Sequence, residues 1–330
     1  MVMTPSSPPT NHLREVDARR DLNQIANLID LCFRAHLDPE GRAYLNRLRR
    51  MAVQLQVVPL RSMANAAVPI QGFVWEEAGE IVGNLTLIAF RSQGQLLYLI
   101  ANVAVHPDFR QQGIARAMTQ QALDYARAAH AASAWLHVRS DNPIARHLYE
   151  TLKFEERCQR INWLWRPEDK IPVQPPPQEI SIRARKSSEW CQQANWLQQN
   201  YPPAVDWNLM FDLARLQPGG LHRLWRWLNN ANQTHLALHW NGALAGILSW
   251  ETGAGQPNLF WLAAPAGVDE TALGWLLAEG RQEWIKRAQL NNLPVRSIQI
   301  NFPAGQSSAA FEHAGFSPEN HLVWMENPLR

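Results

Sequence analysis

The stretch Val103–Met118, VAVHPDFRQQGIARAM, changes its period within a few residues. A β-branched run ends at Val105, Pro107 turns the chain, and Gly113 sits in a polar loop that leads directly into an alanine-rich helical segment, Ile114 to His130. A strand, a glycine loop and a helix start, in that order, make an anion cradle. The first N–H groups of a helix have no intrahelical partner and lie at the positive end of its dipole. A glycine there lets an oxygen approach backbone that carries no Cβ. The cradle spans Gln111, Gln112, Gly113, Ile114, Ala115 and Arg116, and pyrophosphate is its natural occupant; the other use of a glycine here is a plain turn.

Upstream, apolar residues at helical spacing predict helices from Asp21 to Phe33 and from Arg42 to Met51. Gly72–Glu76 alternates as a strand, Glu77–Glu80 reads as a hairpin turn, and Ile81–Phe90 and Leu96–Val105 are apolar enough for central strands. Downstream, Ala134–Arg139 predicts another strand.

Pro167–Gln178 carries five prolines, which neither a helix nor a sheet ladder tolerates, so it reads as a linker. Beyond it the same order of elements returns. Strands are expected at Ile180–Arg183, Thr234–Trp240, Ala243–Glu251, Asn258–Ala263 and Val295–Asn301; helices are expected near Ser188–Asn200, Trp207–Leu216 and Asp269–Gln289. Pro107 matches Pro265 and Phe154 matches Phe316, which suggests a diverged tandem repeat. The expected division is a disordered tail over 1–11, a catalytic domain over 12–166, a linker over 167–178 and a degenerate copy over 179–330.

The chain has 330 residues, 46% hydrophobic and 18% charged, which suits two folded domains and excludes a disordered chain. A net charge of +2 gives no field to hold nucleic acid or anionic lipid, so neither is expected as a partner. Three widely spaced cysteines argue against a disulfide framework or a thiolate metal site and fit a reducing, cytoplasmic setting; no metal is expected. The first residues lack an apolar signal core, and no run is long enough to span a bilayer.

Val103–Met118 resembles the acetyl-CoA signature of the GNAT acetyltransferase superfamily, [RQ]-x-x-G-x-[GA], here Arg110, Gly113 and Ala115 after a V-A-V-x-P strand end. A second block, Leu136–Phe154 (LHVRSDNPIARHLYETLKF), resembles the strand, Asn-bearing loop and helix that follow in that family. The resemblance covers roughly residues 12–166. It implies an α/β (α+β) architecture of two tandem GNAT-like domains, each a mixed, mostly antiparallel twisted sheet flanked by helices. It further implies that Val103, Ala104 and Val105 line the pantetheine through backbone groups, that Arg110 and residues 111–116 surround the pyrophosphate, that Asn142 lies beside the CoA arm and that Tyr149 lies near the sulfur.

Acetyl transfer to an amine needs a proton acceptor, a stabilised oxyanion and a donor for the departing thiolate. Tyr149 is the candidate acid and His137, twelve residues earlier, the candidate base, where amino-terminal peptide acetylases of the family often carry glutamate. The structural alternatives are a core tyrosine and a strand-edge histidine. Around them Arg139 and Arg146 could also reach phosphate, and Arg42, Tyr44, Arg47, Arg49 and Arg50 fall on the wall expected to face the acceptor.

In the second half the prolines place Asp269, Glu270 and Thr271 where Gln111, Gln112 and Gly113 stand, and two acids repel phosphate. Phe316 places Gln299 at His137 and Phe311 at Tyr149. Eleven of the fifteen tryptophans lie at Trp190 and beyond, which suits a packing lobe. The expected function is acetyl-CoA-dependent N-acetylation of a small-molecule or peptide amine by the first half. The alternatives are a non-catalytic acyl-CoA sensor and a transferase for a longer acyl-CoA. The acceptor's identity and the oligomeric state are open.

Overall fold

The structure is a computed structural model that describes residues 12–36, 39–57, 71–169, 176–202, 205, 213–219, 232–252 and 258–329. The expected tail, the middle of the expected linker and most of the helix expected near Trp207–Leu216 lie outside the described residues; Leu213–Leu216 forms a 3-10 turn. Contacts divide the chain into two units, one of Met1–Val138, Asn142–Arg157 and Trp324–Arg330, the other of Arg139–Asp141 and Cys158–Val323. No described helix is long and apolar enough to cross a membrane.

The first unit opens with β1 (Leu13–Glu15) and α1 (Ala18–Phe33), which starts at Asp17, whose carboxylate accepts from Arg19 N. Leu22, Ile25, Ala26, Leu28 and Ile29 recur at helical spacing and are buried. They pack against Leu45, Leu48, Met51, Ala52 and Leu55 of α2 (Pro39–Val57) and against Val74, Ile81 and Ala104 of the sheet. Asp21, buried in this helix, is held by a two-pronged Arg14 guanidinium at 2.7 and 2.9 Å.

Next come β2 (Gly72–Glu77), β3 (Glu80–Ser92) and β4 (Gln95–Val105), which with β1 form an antiparallel meander. The 77–80 hairpin turn is where the sequence puts it. Helix α3 (Ile114–Ala128) crosses over to β5 (Ser133–Arg139), parallel to β4, and α4 (Pro143–Thr151) follows. The neighbour of β5 is β12 (Ser317–Pro328), whose residues from Trp324 onward belong to this unit. Leu329 N donates to Ala132 O at 3.0 Å. Sequence patterning did not reveal β1, β12 or β6 (Glu155–Trp165).

In the second unit β7 (Ile180–Ala184), α5 (Trp190–Asn200), β8 (Asn232–Trp240), β9 (Ala243–Thr252), β10 (Phe260–Ala263), α6 (Glu270–Leu290), β11 (Ile298–Pro303) and α7 (Ser308–His313) repeat the order. Strands β10-β9-β8-β7 are antiparallel neighbours, and β11 pairs antiparallel with β6 over residues 160–165. Trp163 stacks on Phe311 at 4.6 Å and Trp250 on Phe260 at 4.5 Å inside its core. These tryptophans contribute apolar area to packing, as such large rings usually do.

The repeat is visible bond by bond at the ends of α4 and α7. Phe154 N donates to Tyr149 O, and Phe316 N to Phe311 O. Lys153 and Gly315 hold the same left-handed turn, φ +68° and +83°. Tyr149–Phe154 and Phe311–Phe316 make the same edge-on ring contact, at 5.9 and 6.0 Å.

Candidate active site

The first unit's strands separate where β4 turns irregular. Parallel pairing with β5 runs from Leu97↔Ser133 to Ile100↔Leu136 and then stops. On the other side of β4 the register with β3 slips between Thr86↔Ala101 and Asn84↔Ala104, so β4 carries one extra residue, and Asn102 sits at φ +51°. Such a bulge bends and twists the strand that carries it. Beyond Ile100 no ladder pairing joins β4 to β5, and Val103, Ala104 and Val105 on β4 and His137 on β5 all lie past the end of that pairing.

The loop after β4 has the conformation the glycine signal implies. Gln111 has φ +63° and Gly113 φ +81°, and Gly113 is the N-cap of α3 without a side-chain cap. A Cβ at Gly113 would meet nothing within 4 Å, so its backbone faces open space, while its positive φ favours glycine. The leading N–H groups of α3, at Ile114, Ala115 and Arg116, thus lie in an uncapped helix start. Gln111, Gln112 and Arg116 are exposed, whereas the Ile114 side chain turns into the core.

The neighbouring cations differ in freedom. Arg110 Nε donates to Val105 O at 3.2 Å, which brings its guanidinium to the strand end; the Cys32 thiol, pushed up in pKa by burial, donates to the same oxygen. Arg116 reaches Thr151 Oγ1 at 2.7 Å. Arg139 grips Asp141 and Arg146 grips Glu156, so both have a protein carboxylate already. Arg49, on the expected acceptor wall, pairs with Asp30 at 3.2 Å. Asn142 is exposed, and its Oδ1 starts α4 by accepting from Ala145 N at 3.1 Å.

Tyr149 is buried in α4, and burial pushes its hydroxyl up to about 12. His137 keeps an edge toward solvent, yet its ring lies flat against Trp324 at 4.0 Å, and desolvation lowers it to about 4. It is neutral throughout the physiological range. Trp324 is a residue of this site that no local pattern announces, because it arrives from the far end of the chain.

These features coincide with the family comparisons. The model of the acetyltransferase (GNAT) family matches residues 24–154. The [ribosomal protein bS18]-alanine N-acetyltransferase of Escherichia coli K12 is 40% identical over 62 residues, 19% of this chain. The chain spans only 42% of that relative's length. Among solved structures, a tandem GNAT protein from the clavulanic acid biosynthesis pathway covers 96% of this chain and 99% of its own, with TM-score 0.50 and 18% identity. A GCN5-related N-acetyltransferase from Sphaerobacter thermophilus covers 98% of both chains, with TM-score 0.57 and 15% identity. At such identities the likeness is one of fold, and that fold is the tandem GNAT architecture.

The second GNAT-like unit bonds the corresponding strand ends with its own side chains. Here Leu259, just before β10, makes an isolated parallel bridge with Gln299 of β11. Asn200 Oδ1 accepts from Ala264 N, at the end of β10, at 3.0 Å. Arg160, 2% exposed, donates to Asn200 O at 2.8 Å and to Asn301 O, on β11, at 3.2 Å, and its Nε bonds Asn301 Oδ1. Its guanidinium also lies over the Tyr201 ring. At the helix start, Asp269 Oδ1 accepts from Ala272 N at 2.8 Å, and Glu270 accepts from Ala309 N. Asp269 is the N-cap of α6, so by helix start it matches Gly113, two residues away from the pairing that the prolines suggest. The loop after Pro265 is simply shorter.

Proposed function

We propose that the chain is an acetyl-CoA-dependent N-acetyltransferase working in its first unit, with the second unit as a non-catalytic copy. The observation that carries this reading is the end of the β4–β5 pairing at Ile100, followed by a glycine-capped helix start. An extended pantetheine can add to the free edge of Val103–Val105 as a strand would, and a pyrophosphate can accept from the N–H groups of residues 111–116. Arg110 and Arg116 supply positive charge nearby.

In this reading an amine attacks the thioester carbonyl directly. The carbonyl oxygen gains negative charge as the C–N bond forms, and a backbone N–H at the β4 bulge is a fitting donor to it. His137 accepts a hydrogen bond from the incoming N–H. At about 4 it is too weak a base to hold the proton, which leaves through water. Tyr149 remains protonated up to about 12, so it donates a hydrogen bond to the sulfur as the C–S bond breaks. The thiolate is the weaker base of the two, and its final proton comes from solvent. The products are an amide and free CoA.

Thiol release from acetyl-CoA in the presence of a panel of amines tests this. Turnover is expected with the wild type and a large loss with Tyr149→Phe. A wild type that binds acetyl-CoA and transfers to no amine would contradict catalysis and favour a sensor. The same assay with longer acyl thioesters fixes the donor.

A further inference from the structure

Strand β12 lies against β5 in a register that its two ends define. Ser140 N donates to His321 O at 2.9 Å just past one end of β5, and Leu329 N donates to Ala132 O at 3.0 Å just before the other. Equal steps inward from either bond set His137 directly opposite Trp324. The ring contact agrees, with centroids 4.0 Å apart and planes inclined by 30°. His137 and Trp324 are therefore a cross-strand pair, the closest approach two side chains make across a sheet.

Trp324 is 3% exposed, and the strand that carries it is tied to the first unit. Asn327, itself buried, donates from Nδ2 to Leu152 O at the end of α4, at 2.7 Å, and Arg157 Nε donates to Glu326 at 2.8 Å. Trp324 is thus a fixed apolar wall, and what it supplies to His137 is a plane. A histidine's χ1 settles in staggered wells, whereas its χ2 is broad and roughly two-fold, so packing has to choose the tilt of the ring. The accepting lone pair of a neutral imidazole lies in the ring plane, and a hydrogen bond weakens steeply as it leaves that line. An aliphatic neighbour would exclude water as well, yet it has no flat face to set the tilt.

We infer that Trp324 is a positioning residue for acetyl transfer: by stacking on His137 it aims the imidazole lone pair at the incoming amine N–H. This inference rests on the acetyltransferase reading of the same site, and it extends that site to a strand far from β5 in sequence. Its test is a double-mutant cycle in the full chain, read as kcat and KM in the thiol-release assay with the amine that the wild type acetylates best. Trp324→Met replaces the flat ring by a flexible apolar chain, Trp324→Phe keeps a flat ring, and His137→Phe keeps the stack without its nitrogen. Thermal melting and calorimetric titration with acetyl-CoA check that each variant is folded.

Trp324→Met should lower kcat about tenfold, the size of one misaligned hydrogen bond in the transition state, with acetyl-CoA affinity unchanged. Trp324→Phe should retain most of the wild-type kcat. Added to His137→Phe, Trp324→Met should cost nothing further, because its effect passes through the imidazole. Losses that add across the two positions overturn the inference, and so does a wild-type kcat in His137→Phe. If Trp324→Met does not fold, Trp324→Phe still decides: a folded Phe variant that has lost most of its kcat overturns the inference. In all of these outcomes the wild type turns over. A wild type that acetylates no amine is a separate result, which removes the acetyltransferase reading itself and this inference with it.

Discussion

At the head of α3 the first unit places Gly113, left-handed and without a side-chain cap; at the head of α6 the second unit places Asp269, whose carboxylate takes the N–H of Ala272. Beside the first, the pairing of β4 with β5 ends at Ile100. Beside the second, Asn200 and Arg160 satisfy the ends of β10 and β11 from within. The same order of strands and helices therefore yields an open junction in one unit and a self-satisfied one in the other. Buried polar groups need partners. In the second unit those partners are its own side chains.

The sharpest way to break the comparison is Gly113→Asp. It forces a side chain into φ +81° and places a carboxylate against bound phosphate, so acetyl-CoA affinity should fall by a hundredfold or more in calorimetry, about 3 kcal/mol. Asp269→Gly in the second unit should create no new site, because the side chains between β10 and β11 stay in place. Tyr149→Phe comes next, with kcat reduced about a hundredfold at unchanged acetyl-CoA affinity. Phe311→Tyr, its mirror image, should confer no activity.

The bonded strand ends of the second unit also have a stability signature. Arg160→Met removes a buried guanidinium and strands Asn200 O and the Asn301 amide without their donors, which costs about 2–4 kcal/mol. Chemical denaturation followed by tryptophan fluorescence measures it, since the second unit's core is rich in that residue. A neutral or stabilising change would show that these bonds do not hold the strand ends.

A further test is a slope with pH. The His137 imidazole titrates near 4 in the folded protein and near 6.5 when exposed, so between those values the unfolded chain binds the extra proton. Stability should fall as pH drops through that window, by up to about 3 kcal/mol, and level off below it. His137→Gln should flatten that part of the curve. An unchanged slope would mean that the ring is hydrated despite its stack on Trp324.

Much of the first unit could be read locally. The strand end at Val105, the turn at Pro107, Gly113 and the helix from Ile114 stand in one stretch, and the structure ends its strand and starts its helix at those same residues. The repeat was legible at Phe154 and Phe316 because a short helix, a left-handed residue and an aromatic return form a unit of fixed length. Pro265 misled by two residues because loops change length freely while helix caps do not. The strand beside β5 was beyond local reading, since Trp324 lies far away in sequence from His137. Asn102 did leave a mark, as a lone carboxamide in the apolar run from Leu96 to Val105, but only the pairing register shows that it is a bulge.

The most direct test of the account is the stoichiometry of acetyl-CoA binding, measured by calorimetric titration of the full chain and of Gly113→Asp. One site per chain, lost in the variant, is the predicted result. Two sites, or a single site that survives in Gly113→Asp, would contradict the division of labour between an open first unit and a self-bonded second one.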